Sequence, residues 1–251
     1  MTENLFNNLQ LKNGDKVLVS SDILRFLLKK KEKDIEQEAN KIIDNLIEKI
    51  GESGTLLLPT YNWDFCKGIE FNYKKTLSLS GALGNVALKR KDFLRTKNPI
   101  YSFAVWGNNQ FKICNLNHQS CFGLSSPFGY LIKNNAKNLC IGMNYRDGFT
   151  FVHVAEEKIG VGYRYFKKYS GITIKDKKKK IFSCKMYVRD LKLNLITKIH
   201  KNLDKILEKK KNIINKKIFE TNFSVIQVKE AYNIMIRDLK KDKKIVYTQK
   251  N

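Results

Sequence analysis

Residues 34–59 read DIEQEANKIIDNLIEKIGESGTLLLP. Ile35, Ala39, Ile42, Ile43, Leu46, Ile47 and Ile50 recur at the spacing of one helical face, which predicts a helix over 34–50. Gly51 stands just past it, where a glycine can take the left-handed backbone that ends helices. Thr55–Pro59 is a short apolar run without polar alternation, as expected of a strand buried on both faces. Upstream, Lys16–Ser20 follows Gly14-Asp15 as a second such run and ends in Ser20-Ser21-Asp22, three good helix-starting residues. Strand, helix, strand predicts a parallel pair joined by a crossover, hence an α/β fold with helices flanking a central β-sheet.

Outward from this unit, Ser80–Lys91 reads as a helix despite Gly81 and Gly84, whose small size would let it approach another backbone closely. Ser102–Gly107 reads as a strand, Ser125-Ser126-Pro127 as the start of a short helix, and Asn138–Gly142 as a further buried strand. Residues 144–149 read as a polar loop. The last third has a different texture. Ile172–Ile174 and Ile181–Val188 are expected as strands around a solvated turn at Lys175–Lys180, followed by amphipathic helices near 196–210 and 229–240. The division expected is an α/β core over 1–162 and a smaller α+β portion over 163–251, packed on the core as one continuous domain.

The net charge of +24 is lopsided: residues 1–162 carry +6 and residues 163–251 carry +18. Only seven of the 48 basic residues are arginine, the side chain that nucleic-acid readers use for bidentate contacts, and no nucleic-acid-binding motif accompanies the charge. A nucleic-acid module is therefore the remote alternative, whereas a phosphate-bearing small molecule suits the field. No 18-residue apolar run appears and Met1–Lys16 lacks a hydrophobic secretory segment, so a cytoplasmic protein without membrane insertion is expected. The five cysteines, Cys66, Cys114, Cys121, Cys140 and Cys184, show neither disulfide nor zinc spacing, so reduced thiols and no metal are expected. Cys66 or Cys121 as an acyl-accepting nucleophile lacks a visible partner.

Thr150–Glu157 reads Thr-Phe-Val-His-Val-Ala-Glu-Glu. On a helix His153, Glu156 and Glu157 share a face, which offers a general base and two partners that could orient its ring. With Thr150 as cap, His153 falls in the first turn, where the positive helix end favours neutral imidazole while Glu156 favours the imidazolium formed on proton transfer. His118, in a polar loop, and His200, on a basic helix, lack such settings.

Five elements in order carry a family resemblance over residues 14–160: Val17–Asp22; Gly54-Thr-Leu-Leu-Leu-Pro-Thr60; Arg95-Thr96-Lys97-Asn98-Pro99 with Ser102-Phe103-Ala104 and Gly107; Phe122-Gly123 through Ser126-Pro127 and Leu131; and Thr150 with His153 and Glu156. Together they resemble the aminoglycoside 3-N-acetyltransferase family, including its relatives that acylate nucleotide-linked amino sugars. The resemblance implies a mixed central sheet, acetyl-CoA or another short acyl-CoA as co-substrate, a primary sugar amine as acceptor, and His153 as general base with Glu156 and Thr150 supporting it. Ser20, Ser21, Arg95, Ser102, Phe103 and Ser126 are the candidate cofactor-binding residues. Tyr61, Asn62, Trp63, Asp64 and Glu157 are the candidate acceptor-binding ones. Asn98 departs from the histidine of many drug-modifying members, and Arg146–Phe151 looks more like the nucleotide-sugar branch. A nucleotide-linked aminodideoxy sugar is thus the expected acceptor, with aminoglycosides as the alternative and a homodimer as an allowed assembly.

Overall fold

In the computed structural model, which describes residues 6–30, 34–193, 195–196, 199–242, 245 and 248–249, the predicted parallel pair is present. β1 (Lys16–Ser21) and β2 (Thr55–Pro59) pair with Lys16 opposite Thr55 and Leu18 opposite Leu57. The crossover is α1 (Ile23–Lys30) followed by α2 (Ile35–Ile50). Asp34 caps α2 by accepting from Gln37 N at 2.9 Å, and Gly51, at φ 63°, ends it by donating to Ile47 O. Residues 1–5 of the polar N-terminal stretch lie outside the described residues.

The remaining elements follow in chain order. They are β3 (Phe71–Asn72), α3 (Ala82–Lys89), β4 (Leu94–Arg95), β5 (Phe103–Gly107), α4 (Gln110–Cys114), α5 (Pro127–Lys133) and β6 (Lys137–Ile141). Next come α6 (Tyr145–Gly148), α7 (Val152–Ile159), β7 (Arg164–Lys175), β8 (Lys178–Arg189), β9 (Leu195–Ile196) and α8 (Asn202–Lys209). The chain closes with β10 (Ile213–Ile218), β11 (Thr221–Gln227), α9 (Val228–Lys240) and β12 (Thr248–Gln249). The main sheet runs β10-β11-β6-β1-β2-β5-β4, parallel across β6-β1-β2 and antiparallel at both flanks. A second sheet, β3-β7-β8, is mostly a long hairpin, and β9 pairs with β12.

Several expectations change. The polar run 144–149 forms the short helix α6, started by Asn144 accepting from Arg146 N at 3.0 Å. The hairpin turn is only Asp176-Lys177, both in left-handed backbone, so Lys178, Lys179 and Lys180 belong to β8. The helix near 196–210 is confined to Asn202–Lys209, and residues 197–198 of that span lie outside the described residues. β10 and β11 were hidden in a lysine-rich stretch. They join the main sheet beside β6, so the C-terminal portion completes the sheet as well as covering it.

Successive residues of β1 face opposite layers, which explains its continuous apolar run. Val17 and Val19 pack with Ile42, Ile43 and Leu46 of α2, while Leu18 and Leu57 face the layer holding Phe128, Val154 and Met235. The α3 helix lies unusually close to β2, because a Cβ at Gly84 would fall 2.1 Å from Pro59 O. Gly84→Ala must push the helix off the strand and is expected to cost about 1–3 kcal/mol, seen as a lower thermal midpoint; an unchanged midpoint would show that α3 is not held there. Because β2 lies on one side of β1 and β6 on the other, the chain reverses its direction of winding at β1. Its carboxyl end is thus the topological switch point where open α/β sheets bind ligands.

Candidate active site

Ser20 stands at that carboxyl end. Its hydroxyl donates to Gly148 O at 2.9 Å, tying β1 to the corner where α6 gives way to α7. Two residues after Gly148 comes Thr150, whose carbonyl accepts the His153 N–H at 3.1 Å. The helix cap is Phe151 rather than Thr150, and no side chain caps it. Thr150 therefore acts at the helix start through its backbone, and its hydroxyl lies against the Tyr61 phenol.

His153 sits in the first turn of α7 with its side chain 26% exposed. Its Nδ1 lies 2.8 Å from Glu156 Oε2, the i to i+3 contact that the sequence spacing predicts. Glu156 is fully buried and held from three sides. Tyr163 Oη donates to Oε1 at 3.1 Å, and Arg164 Nε lies 2.7 Å from Oε2, close enough for an ion pair but out of line for a hydrogen bond. Burial favours the neutral carboxyl, but the hydrogen bond and charge of His153, then Arg164, outweigh it and hold Glu156 below the usual carboxylate range. When the ring carries one proton, an ionised Glu156 accepts it from Nδ1, which leaves Nε2 as the proton-accepting nitrogen.

Glu157 does not share this network. It accepts from Ser120 Oγ at 2.6 Å, and burial raises its carboxyl above the ordinary value against that hydrogen bond and the charge of Lys185.

An aromatic chain connects the loop after β2 to the imidazole. Trp63 and Tyr61 both pack on Tyr101, Tyr101 on Phe122 at 4.7 Å between centroids, and Phe122 on His153 at 4.9 Å. Tyr61 is buried, and its phenolic oxygen has no well-formed hydrogen bond; burial drives its acidity far down. Trp63 is 38% exposed. Asn62 is turned inward, donating to Leu77 O and accepting from Asp64 N, and Asp64 pairs with Lys67 at 2.8 Å. Of the predicted acceptor residues, Tyr61 and Trp63 thus reach the His153 neighbourhood, while Asn62 and Asp64 shape their own loop.

Four predicted cofactor residues are instead internal supports. Ser102, Phe103 and Ser126 are fully buried: Ser102 donates to Thr60 O, Phe103 packs in the core, and Ser126 caps α5 by accepting from Gly129 N. Arg95 spends its donors on Ser102 Oγ and on the carbonyls of Thr76 and Thr60. Half-buried Ser21 remains at the β1 end beside Asp22, which bonds Ile141 O through its N–H. A pocket of about 350 Å³ is lined by Asn144, Tyr145, Asp204, Lys216, Lys217 and Ser224.

Tyr101, Phe122, Tyr163 and Arg164 escaped the sequence reading of the site. Asn98 could have flagged Tyr101: its Oδ1 accepts from Ile100 N and Tyr101 N, forming the turn that presents the ring. Burial raises the Cys66 thiol to about 11, and the hydrogen bond with Cys184 plus burial raises Cys121, so neither is an activated nucleophile. His118 Nδ1 lies 2.8 Å from Ser120 O, and His200 Nδ1 accepts from Asn202 N at the start of α8. All five cysteines are free, and the described residues hold no cluster of three metal-ligating side chains and no helix long and apolar enough to cross a membrane.

The family model described as aminoglycoside 3-N-acetyltransferase matches residues 29–240. The chain belongs to the aminoglycoside 3-N-acetyltransferase family. A curated member of similar sequence is the SPbeta prophage-derived aminoglycoside N(3')-acetyltransferase-like protein YokD of Bacillus subtilis (strain 168), 28% identical over 183 residues. That alignment covers 63% of this chain and 64% of YokD, under two thirds of its length. The fold of the family is shared with the complex of AAC-IIIb with CoASH, at a TM-score of 0.79 and 15% identity over 96% of this chain and 95% of that one. The YokD crystal structure gives a TM-score of 0.75 and 20% identity over 95% and 91%. Sisomicin-bound AAC-VIa gives 0.78 and 15% over 97% of each chain.

Proposed function

We propose that this family member is an acyl-CoA-dependent N-acyltransferase that acetylates a primary amine on an amino sugar, with His153 as general base. The observation that carries the reading is the partly exposed imidazole whose Nδ1 is fixed by a buried, ionised carboxylate. A sugar ammonium must lose a proton before it can attack, and Nε2 is the nitrogen free to take it. Acetyl-CoA would supply the acetyl group as a thioester. The amine nitrogen forms the new amide C–N bond as the C–S bond breaks, and the departing sulfur ends protonated. Glu156 holds the ring in one tautomer and stabilises the imidazolium while His153 carries the proton. Ser21 and the start of α1, at the β1 carboxyl end, fit the diphosphate of the donor. The buried phenol of Tyr61, with no well-formed bond of its own, fits a polar group of the reacting molecules.

For the acceptor, the named relatives back an aminoglycoside better than the nucleotide-linked sugar expected from the sequence. The second reading keeps one observation in its favour. Near His153 the carboxylates are already engaged, Glu156 by Arg164, Glu157 by Ser120 and Asp64 by Lys67, so no free acidic cluster among the described residues meets a polycation. Thiol release from acetyl-CoA with sisomicin-type drugs and with nucleotide-linked amino sugars, each in turn, separates the two. Turnover of the drug alone supports the first acceptor, turnover of the sugar nucleotide alone the second, and release with neither rejects amino-sugar acylation.

A further inference from the structure

A separate cavity of about 1040 Å³ opens between the edge strand β4, the end of α3, α4 and the tip of the β7–β8 hairpin. It contains none of His153, Glu156, Ser21 or Trp63. Its volume is at the upper end of the range of small-molecule sites. Two features separate it from an ordinary lysine-rich surface.

The first is uncompensated charge. Lys91, Lys97, Lys175, Lys178 and Lys180 line the opening, and among the described residues none has an ion pair to a carboxylate. Asp176, the one acidic residue of the lining, is paired with Lys74 at 3.0 Å. Arg95 also lines the cavity. Its guanidinium bonds only to carbonyl and hydroxyl oxygens and lies 4.5 Å over the Phe71 ring, with no carboxylate partner among the described residues. Burial lowers it to about 10, so it remains a cation near neutral pH. Arg95 is partly buried and its donors are taken by the protein, so it adds positive field to the wall rather than a direct contact, and an anion in the cavity would offset that charge. The second feature is exposed apolar surface in the same walls: Phe111 is 70% exposed and Ile181 84%, beside Leu94 and Phe182. Water-facing apolar and aromatic groups beside concentrated positive charge match a ligand with a flat ring at one end and phosphates at the other.

We infer that this cavity binds the nucleoside 5′-diphosphate group of a nucleotide, at a site distinct from the His153 centre. That chemistry is shared by a free nucleotide, a nucleotide-linked sugar and the nucleotide end of coenzyme A, and competition tells them apart. The full chain is titrated calorimetrically with ADP, with UDP and with inorganic pyrophosphate as the charge-only control, at low and moderate salt. Lys178→Ala/Lys180→Ala and Phe111→Ala change exposed side chains, and a thermal melt verifies that they stay folded. Saturable nucleotide binding is expected, tighter than that of pyrophosphate and weakened about tenfold in either variant. Absence of saturable binding, affinity for nucleotide no greater than for pyrophosphate, or wild-type affinity in both variants would overturn the assignment. Displacement of bound nucleotide by acetyl-CoA would place the donor's nucleotide end in this cavity and overturn its placement beside Ser21, and displacement by a nucleotide-linked amino sugar identifies the acceptor. Resistance to both supports a free-nucleotide site. His153→Ala should retain nucleotide binding whether or not it retains turnover, so this inference and the transferase reading fail independently.

Discussion

Replacing His153 with alanine is expected to lower turnover by roughly 10²- to 10⁴-fold, the range over which a positioned general base contributes. The fold should tolerate the change. The side chain is partly exposed, and Glu156 keeps Tyr163 and Arg164 as partners once the imidazole is gone. The thermal midpoint should therefore move little, and the KM for acetyl-CoA should stay near its wild-type value. The loss should sit in kcat, because the missing group acts on the amine proton rather than on the donor. Steady-state thiol release with a saturating amine measures this, and exogenous imidazole should restore part of the rate if the cavity left by the ring admits it. Wild-type turnover in His153→Ala would remove the base from the mechanism. A collapse of stability instead would make His153 a structural member of the Glu156 cluster.

The contact between His153 and Glu156 was legible because it is local: three residues of helix fix both side chains on one face, and no other part of the chain is needed to predict it. The parallel β1–β2 pair was legible for a similar reason, since its strands are apolar on both faces and its helix carries a regular stripe. What failed was long-range or two-sided. Arg164 and Tyr163 reach Glu156 only after the chain turns at Gly160, and no sequence period marks a return of that kind. β10 carries exposed lysines on the outer edge of the sheet, so no apolar pattern marked it as a strand although its neighbour β11 is an interior strand. Arg95, Ser102 and Ser126 lie in the family-like elements, yet all three bond to the protein's own backbone. A residue that holds a loop in place and one that touches a ligand leave the same mark in a motif; only the hydrogen-bond partner distinguishes them.

The Glu156–Arg164 pair should produce the largest change in stability. Both side chains are almost fully buried, at 0% and 8% exposure, so removing one charge strands the other away from water. Glu156→Gln keeps the shape of the side chain and one acceptor oxygen but leaves the Arg164 cation with no counter-charge beside Tyr187 O, and a cost of about 3–5 kcal/mol is expected. In a chain of this size that corresponds to a fall of about 10 °C in the thermal midpoint. Turnover should fall as well, because glutamine can neither stabilise an imidazolium nor fix one tautomer of the ring. The pH dependence separates the charge from the packing. The carboxyl of Glu156 is held below its unfolded value, so its stabilising contribution is complete above the ordinary carboxylate range and disappears as pH falls through the lowered folded value. Glu156→Gln should therefore be less stable near neutrality and lose less on acidification than the wild type. Replacing both residues, as in Glu156→Leu with Arg164→Met, removes the stranded charge and should recover much of the midpoint while leaving turnover low. If the double variant recovered activity along with stability, the carboxylate would be a packing device, and His153 would need another group to orient it.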